Sequence, residues 1–376
     1  MVRFNFFLQV TFLAFVVLIC KRYQGDWMQL QESNHRFLTQ LRGGFRSTKL
    51  KSGKREHVTG QSTLARYSDK SHLFNTKRMI SKLHDKKRGS PLVFYSIFAG
   101  REATLELQLP HILKLLEQNI VDEVHLWDFS CKQKREIKNW FGNGKNDTKF
   151  LWEEMLPKDE RIYIVEPARC SWRDYYEYYS NLLHGGDVLI KADDDILFVD
   201  TSRVQGFVDT IRNYPQVYLW SASVINNGVV AGIHDKDGLL PPDIASLDYE
   251  VQQPLSAGVL AFNATAGRLA HTHFLNHSQE YYRPPPGKEL RLIKGRLSIN
   301  FVAWLGRNFH RTSSYIRTSG KNVDAGGGDE WVVTQLASAY FGQNIIVYLP
   351  LVAAHASFGQ QNMYEKIISL YKRPEI

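Results

Sequence analysis

The chain has 376 residues, 43% of them apolar and 12% aromatic, enough for one large folded core. Its 47 basic and 38 acidic residues leave a formal charge of +9. The excess lies in residues 21–88, which hold 17 Lys and Arg against 5 Asp and Glu. There the basic residues are neither interleaved with aromatics nor carried on a patterned helix, so the high pI is no argument for nucleic-acid binding by the rest of the chain.

In chain order, residues 1–3 read as a short cytoplasmic tail and residues 4–20 as an apolar run without charge. That run sits at the short end of a bilayer-spanning helix. It exits directly into Lys21-Arg22-Tyr23 without an A-x-A-like cleavage site, which favours an uncleaved signal anchor over a signal peptide. Residues 21–88 then read as a basic stem without sustained periodicity, a solvated spacer that could also touch anionic lipid or polysaccharide. The sequons Asn146-Asp-Thr148, Asn263-Ala-Thr265 and Asn276-His-Ser278 follow the anchor and lean toward a lumenal body. Of the three cysteines Cys20 lies in the apolar run, leaving Cys131 and Cys170 as the one pair available to an oxidising compartment.

Residues 89–376 read as one α/β domain. Strands are expected at 91–98, 121–129, 161–165 and 188–192, alternating with helical stretches to about Asn119 (interrupted at Pro110), at 132–141 and at 171–184. Such alternation implies a mostly parallel central sheet with flanking helices. Beyond it come a helix at 202–213, a strand at 217–224, a long polar stretch at 232–253 and a strand at 258–262. Helices are expected at 265–276 and at 297–306, the run Gly326-Gly-Gly-Asp-Glu-Trp331 leads into another that ends near Tyr340, and a last strand is expected at 344–349. The Trp172, Tyr175, Tyr176, Tyr179 spacing is that of a buried helical face.

The strand at 188–192 delivers Asp193-Asp194-Asp195, at the strand end where ligands collect in open α/β sheets. Adjacent carboxylates repel unless a cation sits among them, and hard oxygen ligands suit Mg²⁺ or Mn²⁺ carrying a diphosphate. Strand alternation sets Asp193 and Asp195 on one side and Asp194 on the other. Asp clusters also cap helices and sit solvated on surfaces, and a D-x-D match alone is a weak pattern.

A tail, an anchor, a stem and an α/β domain with a strand running into D-x-D resemble the type II membrane glycosyltransferases of the GT-A (Rossmann-like) fold. The segment Ile190-Lys-Ala-Asp-Asp-Asp-Ile-Leu-Phe198 is similar to the K-x-D-D-D-[VI]-x-[FV] segment of nucleotide-sugar transferases such as the β-1,3-galactosyltransferase type. The resemblance implies transfer of a sugar from a nucleoside diphosphate sugar, a UDP-sugar first, to a glycan or glycoconjugate acceptor. It implies an inverting course, with retaining chemistry left open, and a Golgi membrane protein with a lumenal catalytic domain. Metal-dependent phosphoryl or nucleotidyl transfer, or an inactive sugar-binding relative, are the alternatives.

Residue by residue, Asp195 would bind Mn²⁺ (or Mg²⁺) directly and Asp193 would share the ion or hydrogen-bond the ribose. Asp194, counted with the donor-binding residues, would hold the loop, and His355 would be a third ligand. Ala99-Gly100-Arg101, after the first strand, and Asp128, after the second, would receive the nucleotide; each also reads as an ordinary turn or loop cap. Lys191 would meet a phosphate or only flank its strand. Asp329 or Glu330, after a glycine run, would be the general base, with Asp329 preferred, although the pair also suits a helix start. Trp331 would stack on the acceptor, and Asn226-Asn227-Gly228 and Gly258 would line its side.

Overall fold

Apolar runs with no polar face become the central strands of one nine-stranded sheet. The computed structural model describes residues 90–128, 159–165, 167, 171–242, 264–293, 295–319, 328–356 and 364–372, all within the unit Gly60–Ile376. The anchor, the stem, Cys131, Cys170, Asn146, Asn263, Gly258, the helix expected at 132–141 and the strand expected at 258–262 lie outside the described residues. Among the described residues no helix is long and apolar enough to cross a membrane.

The strands are β1 (Val93–Ala99), β2 (Glu123–Asp128), β3 (Ile162–Val165), β4 (Val188–Asp193), β5 (Ile196–Val199), β6 (Leu219–Ile225), β7 (Leu290–Ile293), β8 (Phe301–Leu305) and β9 (Ile345–His355). Their order is β3-β2-β1-β4-β8-β6-β9-β5, with β7 also on β9. Pairings are parallel among β3, β2, β1 and β4 and between β6 and β9, while β8 is antiparallel to both its neighbours. Six strands therefore run one way, and β5, β7 and β8 run the other. This is a mixed α/β architecture with a mostly parallel sheet.

Helices α1 (Glu102–Glu117), α2 (Trp172–Leu182), α3 (Thr201–Asn213), α4 (Gly228–Lys236), α5 (Ala264–Asn276), α6 (Gly306–Thr318), α7 (Gly328–Trp331) and α8 (Tyr364–Tyr371) flank the sheet. The expected aromatic face of α2 is buried: Tyr175, Tyr176, Tyr178 and Tyr179 pack with Trp127, Trp304 and Phe309, and Trp172 lies against them. Each such ring contributes about 2 kcal/mol by burial. Two of the hydroxyls are paired inside the core, Tyr175 Oη with Ser96 Oγ at 2.8 Å and Tyr179 Oη with His125 Nδ1 at 2.8 Å, whereas Tyr176 Oη is buried without a hydrogen-bond partner among the described residues. A second cluster joins α5 and α8 to β5, β6 and β9 through Phe274, Ile367, Leu197, Ile225 and Val352.

Several expectations need correction. Residues 297–306 do not form a helix: Phe301–Leu305 is β8, buried at every position and held between β4 and β6. A five-residue apolar run has no periodicity that separates strand from helix. Helix α1 runs on through Pro110; Pro110 and Glu106, whose carbonyl loses its i→i−4 donor, both lie on the exposed face. Helix α4 takes up residues 228–236, at the start of the expected polar stretch. Strand β9 continues to His355, past Pro350, because a register shift opposite Ala222 and Ser223 absorbs the proline in a bulge. Strands β5 and β7 are short and were not expected.

The amino end of β4 is held by Asp187, which accepts from Leu92 N (2.9 Å) and His184 N (2.7 Å). Its carbonyl accepts from Gly306 N at 2.7 Å. A Cβ at Gly306 would land on the His184 carbonyl oxygen, so the β8–α6 turn admits only glycine there.

Candidate active site

Chain connection reverses direction at β1: β2 lies on one side of it and β4 on the other. A crevice opens outside the carboxyl ends of the strands at such a switch point. The residues delivered there are Ala99, Gly100 and Arg101 after β1, Asp128 at the end of β2, and the aspartates after β4. Ala99 and Asp128 are register partners, as are Phe98 and Asp193.

Strand β4 ends at Asp193, and Asp194-Asp195 form the turn into β5. The alternation that pairs Asp193 with Asp195 therefore does not apply, and the triplet divides differently. Asp194 and Asp195 share the Arg101 guanidinium, Asp194 Oδ1 at 3.1 Å and Asp195 Oδ2 in closer contact. Asp195 Oδ2 also lies 3.2 Å from His355 Nε2. These groups are buried, with Asp194 8%, Asp195 3% and His355 3% exposed. Gly100 N–H donates to Asp194, and a Cβ at Gly100 would stand 3.2 Å from Asp194 Oδ2. The close backbone approach expected of Gly100 is thus made to a carboxylate of the chain itself. Tyr364 of α8 lies under Arg101, 5.8 Å from ring centre to guanidinium carbon, and its hydroxyl donates to Thr104 Oγ1 at 2.8 Å.

Electrostatics follow this pairing. Burial pushes Asp195 up, but His355 and Arg101 outweigh it and hold the carboxyl well below the usual range. Burial likewise pulls His355 down, yet Asp195 leaves the imidazole above its ordinary value. Asp194 is raised, by burial first and by its aspartate neighbours, against the pull of Arg101.

Asp193 faces a second group. Its Oδ1 accepts from Lys191 Nζ at 2.6 Å and its Oδ2 from Asn300 Nδ2 at 3.2 Å. Lys191 is buried, donates also to the Ile299 carbonyl at 3.1 Å, and stands 4.7 Å from the centre of the Phe98 ring. Burial works against its charge, but Asp193 and then Asp329 keep the ammonium above its ordinary value. The structure thus sets Lys191 as an internal counter-charge among acids, more than a flank to its strand.

Asp329 and Glu330 begin α7, half-buried. Asp329 is raised by burial, with Lys191 opposing. Glu330 is raised by burial too, but it is held by Arg296 Nε. Trp331 is 37% exposed. Beyond it the helix widens into a π-helix, Val332–Ala337, where Thr334 Oγ1 donates to the Glu330 carbonyl at 2.8 Å; such segments recur at functional sites. Asn226 and Asn227 are buried at the end of β6.

Sequence reasoning did not find Asn300, Arg296 or Tyr364. Asn300 reaches Asp193 only because β8 runs antiparallel beside β4, where Asp193 N also donates to the Asn300 carbonyl at 2.8 Å. No local pattern announces such a partner.

Among the described residues no three His, Cys, Asp or Glu side chains are gathered as a metal cage. The donor set still suits a hard or borderline divalent ion. Asp195 Oδ2 and His355 Nε2 stand 3.2 Å apart, close to the separation of about 3 Å between neighbouring ligands on one small ion. Two protein ligands leave room for phosphate oxygens or water.

No family model matches the chain, and no curated protein matches it. Forty-five solved chains match. One is the crystal structure of 4-diphosphocytidyl-2C-methyl-D-erythritol synthase from Anaerococcus prevotii DSM 20548, at 9% identity and a TM-score of 0.33, covering 75% of this chain and 94% of that one. A likeness that loose bears on neither the activity nor the site.

Proposed function

We propose that the chain is a metal-dependent glycosyltransferase of the GT-A type that takes a nucleoside diphosphate sugar, with a UDP-sugar as first candidate, and passes the sugar to a glycan or glycoconjugate. One observation carries this reading: a carboxylate and an imidazole converge 3.2 Å apart, beside Arg101, outside the carboxyl ends of β1 and β4. The two ligands and the guanidinium together suit an ion that neutralises a diphosphate leaving group. Asp195 and His355 would hold Mn²⁺ or Mg²⁺. Arg101 would exchange its carboxylate partners for phosphate oxygens, and the Ala99–Asp128 pair would border the nucleoside.

Asp193, fixed by Lys191 and Asn300, is suited to accepting a hydrogen bond from a sugar or ribose hydroxyl. Asp329 is the better candidate for the base. Its raised pKa suits proton uptake from an acceptor hydroxyl, whereas Glu330 is held by Arg296. An acceptor sugar stacked on exposed Trp331 would lie next to that base. Anchoring by residues 4–20 in a Golgi-type membrane, with the domain in the lumen, belongs to the same proposal.

The test is a screen of nucleotide sugars with Mn²⁺, followed by determination of product anomericity. Release of nucleoside diphosphate, abolished in Asp195→Asn, is the expected result. Release of pyrophosphate from a nucleoside triphosphate would replace this reading with nucleotidyl transfer, and binding without turnover would make the chain an inactive relative.

A further inference from the structure

Asn226 stands in the left-handed region at φ +64°, one of two non-glycine residues among those described with positive φ. Asparagine tolerates that conformation better than most residues, yet it still costs about 1 kcal/mol and persists where the surroundings impose it. Here they do. Asn226 follows β6, whose last residue Ile225 pairs with Ala354 of β9, so Asn226 lies beside the end of the strand that carries His355. Its Nδ2 donates to the Ala356 carbonyl at 3.2 Å and reaches the His355 carbonyl at 3.5 Å.

Ala356 is tied from both sides. Its N–H donates to the Asp195 carbonyl at 2.7 Å. Its carbonyl accepts from Asn226 and also from His271 Nε2 at 3.2 Å, and the other ring nitrogen of His271 is held by the Tyr371 hydroxyl at 2.8 Å. One peptide therefore links the backbone of Asp195 to that of His355.

The next residue turns the other way. Asn227 Oδ1 caps α4 through Val229 N and Val230 N, while its Nδ2 donates to the Ser298 carbonyl and to Asn300 Oδ1, the residue that holds Asp193. The left-handed turn at Asn226 lets two successive amides serve the two separate parts of the triplet.

We propose that Asn226 is a positioning residue for the Asp195–His355 pair: by holding the carbonyls of His355 and Ala356 it fixes the imidazole against the carboxylate. This rests on the reading of that pair as an ion site. Loss of a partner in the shell outside metal ligands typically costs 10–100-fold in affinity.

The experiment compares Asn226→Gly, which keeps the positive φ and loses the amide, with Asn227→Asp, which keeps the helix cap and loses the donor toward Asn300. In the full chain, Mn²⁺ affinity is measured by calorimetric titration and the His355 ring resonances by histidine-selective NMR. Asn226→Gly is expected to weaken Mn²⁺ about tenfold or more and to move or broaden the His355 resonances, while Asn227→Asp moves neither. Asn226→Asp, of the same size and equally tolerant of the turn, is expected to repeat the Asn226→Gly result and serves if the glycine variant does not fold. Wild-type positions of the His355 resonances in both Asn226 variants, or equal shifts in Asn227→Asp, would overturn the proposal. A wild-type chain that binds no Mn²⁺ would remove the ion from the proposed function, and the resonances alone would then decide the role of Asn226.

Discussion

The two ends of β4 both carry buried aspartates, and they are satisfied in different ways. At the amino end Asp187 is held by backbone N–H groups of Leu92 and His184, partners that fold with the chain and have no other use. At the carboxyl end Asp193, Asp194 and Asp195 are held by side chains: the Lys191 ammonium, the Arg101 guanidinium and the His355 imidazole. A guanidinium or an imidazole can exchange its partner for a ligand, whereas a backbone N–H locked in a turn cannot. Along one strand, carboxylates are thus held by backbone donors at one end and by exchangeable side chains at the other.

Substitutions at the two ends should therefore separate stability from activity. The largest expected effect is at the amino end: Asp187→Ala leaves two backbone donors without a partner inside the protein and should cost about 4 kcal/mol, read as a lower denaturant midpoint with specific activity of the folded fraction retained. Asp195→Asn should show the opposite profile, with donor turnover down by about a hundredfold or more. Its midpoint should fall less than that of Asp187→Ala, because Arg101 keeps Asp194 as a partner. Equal losses of stability in the two variants would erase the distinction.

Gly306→Ala tests the amino end without touching a charge. The new Cβ meets the His184 carbonyl, and a loss of about 3 kcal/mol is expected, again by denaturant midpoint. A titration away from both ends comes next. His234 is buried, meets Ser223 Oγ at 2.8 Å, and burial lowers it to about 4. A histidine lowered in the folded state binds its proton more readily when unfolded, so its contribution is complete above about pH 6.5 and is lost as pH falls toward 4. Between pH 6.5 and 5 the loss should reach about 2 kcal/mol, and a His234→Gln variant should show a flatter stability profile over that interval. The smallest effect is expected for Asp194→Asn, with turnover reduced by less than about tenfold, since Arg101 keeps Asp195. A greater loss there than in Asp195→Asn would reverse their assigned roles.

The parallel half of the sheet was legible because its strands are short apolar runs separated by helical segments, and the tyrosine face of α2 because four rings repeat at helical spacing. Asp193–Asp195 and His355 stood out as chemistry-bearing types at strand ends. The reversed strands β5, β7 and β8 were not legible. Phe301–Leu305 is buried at every position, so it has no alternation to display, and Pro350 concealed the length of β9. The partners of the site residues were hidden for the same reason. Asn300 is linked to Asp193 by strand pairing across 107 positions, and Asn226 to Ala356 across 130. The strand alternation invoked for the triplet failed because the strand stops one residue into it.

Strand β8 has one more consequence. In a wholly parallel sheet only the segments that follow strands meet at the ligand-binding rim. A single reversed strand brings its beginning to that rim, so Ser298, Ile299 and Asn300, which precede β8, meet Lys191 and Asp193 of β4 and Asn227 after β6. The rim can thus be altered from two directions along the chain. An insertion before β8 would displace Asn300 and the carbonyl that holds Lys191 while leaving the Asp194-Asp195 turn and its contact with His355 intact.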